Sequence, residues 1–441
     1  LHGAAQGLPP ADRALAHAIA ADVLRHMADL DALIDGTTQQ ILPEDAKARM
    51  VLRIALVQLL LLATPPHAAI ATALPLLDGG PRRLVHGVLG ALIRSGATLP
   101  EVPALPAPVV ARWTAQWGEG VVANAALSSA TRAPIDINIA DADATARWTE
   151  ALQGVSLAPG HVRISHDSTI ATLPGYAEGA WWVQDIAASI PARLAGDGAG
   201  RSAIDLCAAP GGKTMQLAAH GWSVKALDKS AKRLERLAEN MARARLAAQV
   251  VQADILDWTP DEPADLVLLD APCTATGIFR RHPDVLHRVG DRQIAEMAEV
   301  QARLLPHAAA MVAPGGTLIY ATCSLERAEG EDQVVRFLSM HDDFALVPPA
   351  AGELPEGIFA QEQGWLRILP GVLAEAGGAD GFFIARMVRT GQLKNPSRHC
   401  LRCCASQAAR LRRSINGPSC SHRPVDPLGR LCASGRRGAR Y

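Results

Sequence analysis

Long apolar runs are missing from the 441 residues. The best candidate, Ile54 to Ala63, is interrupted by Gln58 and followed by Pro65 and Pro66; it suits a buried core helix, since a bilayer span needs roughly 18 apolar residues or more. No basic start, apolar stretch and small-residue cleavage site open the chain, so a signal peptide is not expected and the cytoplasm is the default location. No membrane partner is implied. A cysteine framework is also missing: five of eight cysteines (Cys400, Cys403, Cys404, Cys420, Cys432) fall in the last stretch, leaving Cys207, Cys273 and Cys323 widely spaced in the body. Three scattered cysteines do not staple a small secreted fold, and an intracellular thiol role is the better expectation.

Net charge of one sign is lacking too, at -1 overall, but this balance conceals a split. Residues 389–441 hold 12 Lys and Arg against one Asp, leaving 31 basic and 43 acidic residues before them. A nucleic-acid partner calls for a positive footprint, so any such surface on the body has to be local. The basic tail has no hydrophobic periodicity and reads as disordered. Its Cys-x-x-Cys-Cys run with His399 and His422 matches no standard zinc spacing, and no metal is expected anywhere.

What is present has a clear order. Residues 12 to about 125 read as helices, with Leu15, Ile19, Val23 and Leu30 on one stripe and Leu52, Leu56 and Leu59 on another. Residues 1–130 are thus expected to form an all-α domain. From Ala133 the pattern changes: residues 134–139 alternate like a strand, 141–153 like a short helix, and 161–165 like another strand, suggesting a small βαβ adapter over 131–170. Beyond it, strands are expected at 202–207, 223–228, 249–254, 265–270 and 316–321. Helices are expected around 184–195 and at 212–220, 230–245, 290–307 and 328–340, with a last strand pair at 343–347 and 381–387. Such alternation over 171–388 predicts an α/β domain with a doubly wound, largely parallel, Rossmann-like sheet.

The loop Asp205 to Thr214 (DLCAAPGGKT) follows an apolar strand and opens a helix, where a doubly wound sheet binds nucleotide-like ligands. Gly211 and Gly212 let the backbone approach a ligand closely. The loop has neither the G-x-G-x-x-G pattern nor the four-residue gap of a P-loop, which weakens a dinucleotide or ATP reading. Asp228, Asp254 and Asp270 stand at the next three strand ends, as a ribose-gripping carboxylate, an acceptor for an adenine amine and an acid at the active-site rim. Cys273 and Cys323 also follow strand ends on that face. A thiolate there suits addition to a pyrimidine C6, which makes C5 nucleophilic enough to take a methyl group. Spacing leaves open which cysteine attacks.

The segments DLCAAPGGKT, LLDAPCTATGIFRRHPD, YATCSL and DGFFIARM resemble the Nop2/Sun RNA cytosine-5 methyltransferases over about 133–387. LRIALVQLLLLATPPHAAIATALPLL and RRLVHGVLGALIR resemble the RNA-binding helical domain of the antitermination factor NusB. Together they resemble the bacterial small-subunit rRNA methyltransferase B family. This resemblance implies a class I methyltransferase fold, S-adenosylmethionine (SAM) as methyl donor, small-subunit rRNA as partner, and a monomeric protein. The implied target is the cytosine at position 967 of that RNA. SAM is then held by Cys207, Ala208, Ala209, Pro210, Gly211, Gly212 and Lys213 with Asp228, Asp254 and Asp270. Cys323 becomes the nucleophile, Cys273 the residue assisting product release, and Asp270 the acid at cytosine N3.

RNA contacts are expected from Arg280, Arg281 and His282 beside the Pro-Cys loop, and from Arg82, Arg83 and Arg94 in the helical domain. Two departures stand out. Asp136 takes the place of an Arg in the adapter strand, and Glu329-Gly330-Glu331 replaces an acid-Asn-acid run. Both are expected to remove groups that hold RNA or order the pocket. An enzyme acting on tRNA or another RNA, and a non-catalytic RNA-binding or antitermination factor, remain the alternatives.

Overall fold

The computed structural model describes residues 5–390, all within one compact unit. The tail's cysteine run and its expected disorder lie outside the described residues.

Seven helices come first: α1 (Pro10–Arg25), α2 (Met27–Thr37), α3 (Lys47–Leu60), α4 (Pro66–Ala73), α5 (Gly79–Ser95), α6 (Ala107–Trp117) and α7 (Glu119–Ala130). Prolines open α1, α4 and α6 at positions where a missing N–H costs nothing. Gly118, at φ +85°, breaks what the sequence suggests is one helix into α6 and α7. Val85, Val88, Leu89 and Leu92 give α5 one buried face, packed with Leu30, Leu52 and Leu56 in a core shared by α1 to α5. α6 and α7 pack elsewhere: Val109, Trp113 and Ala125 share a cluster with Phe279, Val285 and Leu325 from the second half of the chain.

The adapter comprises β1 (Ile135–Ile139), α8 (Thr145–Ala151) and β2 (His161–Ile164). The two strands pair antiparallel, and β3 (Trp181–Val183) adds to the other side of β1, giving the order β2-β1-β3. The connection over residues 140–160, with the seven-residue α8 inside it, brings β2 back antiparallel to β1. β3 escapes sequence reading because three residues show no period. Trp181 packs into the adapter core while its neighbour Trp182 packs against Ala208 and Leu237 across the junction.

The large sheet follows: α9 (Ile186–Arg193), β4 (Ser202–Leu206), α10 (Gly212–Ala219), β5 (Ser223–Asp228), α11 (Ala231–Ala244), β6 (Gln249–Gln252), β7 (Ala264–Asp270), α12 (Val285–Arg288), α13 (Asp291–Ala310), β8 (Val312–Thr322), α14 (Glu331–Met340), β9 (Phe344–Leu346), β10 (Leu366–Ile368) and β11 (Phe382–Arg389). β6-β5-β4-β7-β8 run parallel; β11 joins β8 antiparallel, with β10 and β9 both pairing to β11. The strand order reverses at β4, with β5 on one side and β7 on the other, so the loops after β4 and β7 open at a topological switch point. Apolar side chains fill both faces of the sheet, Leu206, Val267 and Tyr320 toward α13 and α14, and Leu266, Leu268 and Ile319 toward α9. β10 was not expected; its three buried residues carry an internal Arg367 that breaks the apolar pattern. No helix among the described residues is long and apolar enough to cross a membrane.

Candidate active site

Cys207 turns the chain out of β4 with φ +61°, a left-handed conformation uncommon for a side-chain-bearing residue. Ala208 N then donates to Leu227 O (2.8 Å) and Gly211 N to Ala208 O (2.9 Å), folding the loop back on itself. Gly211 has φ +105°, and a Cβ on it would meet Leu237 Cγ at 3.0 Å, so both the turn and the packing require glycine. It caps α10 without a side chain, leaving first-turn N–H groups turned to the loop. Beneath the loop Asp205 is fully buried. Thr214 Oγ1 donates to its Oδ2 (2.6 Å), while Oδ1 has no hydrogen-bond partner. Burial raises its pKa to about 7, and burial likewise pushes the Cys207 thiol up to about 12. Asp228 is buried at the end of β5, accepting from Ser230 N (2.9 Å) and Ala209 N (3.3 Å) and pairing with Arg233 (3.2 Å). Asp254 lies two residues past β6, exposed, with its Oδ1 accepting from Leu256 N (3.1 Å).

The reactive end is built by the loops after β7 and β8, whose parallel pairing sets Asp270 beside Ala321. Ala271 N donates to Ala321 O and Gly277 N to Cys323 O, both at 2.9 Å. A Cβ on Gly277 would sit 2.1 Å from Gly381 O, so only glycine allows the three segments to meet. In this frame Cys273 Sγ lies 3.5 Å from Cys323 Sγ. The hydrogen bond to Cys323, then burial and the Cys323 charge, raise the Cys273 pKa well above the usual thiol range. The two sulfurs share one contact in which either can donate. Lys213 Nζ donates to Asp270 Oδ2 at 2.7 Å. Burial works against this ammonium, but the Asp270 carboxylate overrides it, and Cys323 adds to the effect, so the Lys213 pKa is raised.

Sequence reading missed the scaffold behind the thiols. Glu329 is fully buried and accepts from Thr274 N (2.8 Å), Ser324 Oγ (2.8 Å) and Gln301 Nε2 (3.0 Å), and also from the Thr274 hydroxyl. It thus ties the residue after Cys273 to the residue after Cys323. Glu331 forms a bidentate pair with Arg367 (2.9 and 2.5 Å), which donates on to Ser324 O (2.6 Å). A Cβ at Gly330 would lie 2.4 Å from Arg367 Nη2, so the glycine admits the arginine. The expected loss of pocket order from Glu329-Gly330-Glu331 is therefore corrected: this run orders the pocket. The only sequence signal is the spacing of the acids, which equally suits an exposed helix start.

The expected RNA-facing residues divide. Arg280 is 5% exposed, hydrogen-bonded to Gly377 O and 3.7 Å from Asp380. Arg281 pairs with Asp185 (2.8 Å) and Asp380 (3.1 Å) and donates to Pro134 O (2.8 Å). Both guanidiniums are engaged within the protein, joining the Pro-Cys loop to the adapter and to the turn before β11. His282, Arg82, Arg83 and Arg94 are exposed, the last three at the two ends of α5. Asp136 is not a vacated surface position. It is buried, bridging Arg163 (2.6 and 2.8 Å), His161 Nε2 (3.3 Å) and Ile186 N (2.9 Å).

A parallel sheet with a glycine turn after β4, an acid ending β5 and a paired thiol rim define a SAM-dependent methyltransferase. The comparisons narrow this class. The family model described as 16S rRNA methyltransferase RsmB/F matches residues 197–388, and the NusB family model matches residues 2–94. The ribosomal RNA small subunit methyltransferase B of Salmonella arizonae is 33% identical over 413 residues, covering 86% of this chain and 91% of the relative; that of Salmonella typhi aligns equally well. The chain belongs to this family of rRNA methyltransferases. Among solved structures, the protein PH0851 aligns with TM-score 0.69 at 24% identity, covering 87% of this chain and 91% of its own. NSun6 from Pyrococcus horikoshii aligns with TM-score 0.56 at 18% identity, covering 65% of this chain and 99% of its own. These two share the fold.

Proposed function

We propose that the protein methylates C5 of a cytosine in small-subunit rRNA, the base at position 967, through a covalent bond from Cys323 to C6, acting in the cytoplasm as a monomer. The observation that carries this reading is the thiol pair itself: Cys273 Sγ lies 3.5 Å from Cys323 Sγ, beside the Lys213–Asp270 pair.

SAM fits the residues present. The close approach at Gly211, the first-turn N–H groups of α10 and the carboxylate of Asp228 suit its amino-acid and ribose portions, with Asp254 at the adenine end and Cys207 to Lys213 around it. When bound, SAM supplies an electrophilic methyl group.

The chain's own groups do the rest. Cys323, as thiolate, adds to C6, and electron density moves through the ring onto C5 and N3. The Lys213–Asp270 pair lends N3 a proton from the ammonium and takes it back when the base is released. Once Cys323 is bonded to carbon, its hydrogen bond with Cys273, the first cause of the raised Cys273 pKa, is changed, and the Cys323 charge that adds to it is gone. With the methyl group passed to C5 and the electron pair of the broken carbon–sulfur bond left on the donor's sulfur, Cys273, its own proton released to solvent, can take the proton from methylated C5. The C5–H electrons restore the C5–C6 double bond as the Cys323–C6 bond breaks, its electrons returning to sulfur. Removing the base from its stack costs least in looped RNA. Arg82, Arg83, Arg94 and His282 are the exposed cations for local RNA contact.

The test is methyl transfer from labelled SAM to small-subunit rRNA lacking its modifications, with base-resolution mapping. Cys323→Ala is expected to lose methyl transfer while binding SAM. Cys273→Ala is expected to accumulate a denaturation-resistant protein–RNA adduct. Methylation of tRNA alone would remove the rRNA assignment, and absence of the adduct would remove the division of labour between the cysteines.

A further inference from the structure

Two residues beyond the nucleophile loop's Ser324 the chain buries a carboxylate that the chemistry above does not use. Glu326 is fully buried, yet its partners come from the front helices, more than 200 residues earlier. Arg112 Nε donates to Oε2 at 3.1 Å, Gln116 Nε2 to Oε2 at 3.0 Å, and Trp113 Nε1 to Oε1 at 3.0 Å. The neighbouring backbone is held by the same helix. Trp117 Nε1 donates to Leu325 O at 2.9 Å, and Arg327 N donates to Gln116 Oε1 at 3.1 Å. Within four residues of Cys323, one face of α6 therefore makes five hydrogen bonds to the catalytic loop. An anchorage of this density, with Trp113 and Leu325 also sharing an apolar cluster, is more than a domain contact requires.

The anchorage is also selective. Glu329, three residues on, turns inward and binds the Cys273 loop through Thr274. The segment after Cys323 is thus held from two sides, by α6 through Glu326 and by the other thiol loop through Glu329. Moving one anchor would move Cys323 relative to Cys273, whose sulfur lies 3.5 Å from its own. A buried carboxylate stripped of its donors is costly enough to displace the segment that carries it.

We infer that Glu326 is a positioning residue through which α6 sets the place of Cys323, making this front helix a working part of the methyltransferase site. The inference rests on the reading of Cys323 as nucleophile. It implies that forces on the helical segment, such as those from bound RNA, reach the thiol pair directly.

The test uses the full chain carrying Glu326→Gln, Trp113→Phe or both. Glu326→Gln keeps the volume but removes the charge that Arg112 meets; Trp113→Phe removes one N–H donor and keeps the ring packing. Two readouts are taken: steady-state methylation of small-subunit rRNA, and the pH profile of iodoacetamide alkylation at Cys323, mapped by peptide mass in the absence of RNA. SAM binding by calorimetry reports that each variant retains its cofactor site. A misplaced nucleophile predicts a kcat loss of ~10- to ~100-fold with KM for RNA and SAM changed by no more than about twofold. The alkylation profile of Cys323 is expected to change in Glu326→Gln as the thiol is displaced from Cys273, with a smaller change in Trp113→Phe and a double variant no worse than Glu326→Gln alone. A lower melting temperature with an unmoved profile and unchanged kcat would overturn the inference. If the unaltered protein methylates no rRNA, the functional reading fails on its own, while the alkylation profiles still decide whether α6 positions Cys323.

Discussion

Asp205 illustrates how a single residue carries opposing demands. Its carboxyl sits under the cofactor loop with one oxygen bonded to Thr214 and the other unpartnered, and burial raises its pKa from 3.8 to about 7. Between those two values the folded chain binds more protons than the unfolded one, so this group makes stability fall as pH rises across that window. The cofactor-free Asp205→Asn variant is therefore expected to melt above the unaltered protein at pH 8, with the gap closing toward pH 4; calorimetric scans at both ends check this. An equal gap at both pH values would show that Asp205 does not titrate there. At this scale the two candidate cysteines, Cys273 and Cys323, were legible because each follows a strand end. Glu326 and Glu329 were not, because a glutamate three residues from another gives no sign of being buried.

At the scale of elements, β1 shows a sequence departure becoming a structural device. Asp136, on the strand, joins Arg163 of β2 to the first N–H of α9 at Ile186, so one carboxylate binds the adapter sheet to the helix that leads into the large sheet. Burial pushes its pKa up, but Arg163 and then His161 override this and hold it well below the usual carboxylate range. Its contribution is present above the unfolded value of 3.8 and is lost as pH falls through the lower folded value. Asp136→Asn leaves Arg163 buried without its counter-charge, at a cost of about 3–5 kcal/mol. Chemical denaturation at pH 7 is the check; a loss below about 1 kcal/mol would mark the pair as dispensable. The alternation over 134–139 announced the strand, but not that its partner strands would run antiparallel or that Trp181–Val183 would supply one of them.

Across the whole molecule, the helices divide differently from a boundary at residue 130. α1 to α5 have their own core, and the NusB model stops at residue 94; α6 and α7 share a core with Phe279, Leu286 and Leu325. We propose that the working boundary falls between α5 and α6. A fragment beginning near residue 99 is then expected to remain monomeric in size-exclusion chromatography and to bind SAM, with weakened affinity for rRNA. One beginning at residue 131 uncovers Phe279 and Leu325 and strips Glu326 of its donors, and is expected to aggregate. Equal behaviour of the two fragments would contradict the division. At this scale Arg280 and Arg281 are turned inward to Asp185 and Asp380. Of the residues expected at RNA, Arg82, Arg83 and Arg94 of α5 and His282 keep exposed side chains.

The sequence by itself determined the layers, because helix and strand periods and glycine turns are local properties. It also determined that Cys207, Cys273 and Cys323 follow strand ends, since alternation places strand termini. Only the tertiary structure decided which thiols stand together, which arginines are engaged within the protein and which helix holds the loop after Cys323. Those depend on distances between residues 50 to more than 200 positions apart, and on burial, which sets the energy of every charge in the site. Neither is written in any local window of the chain.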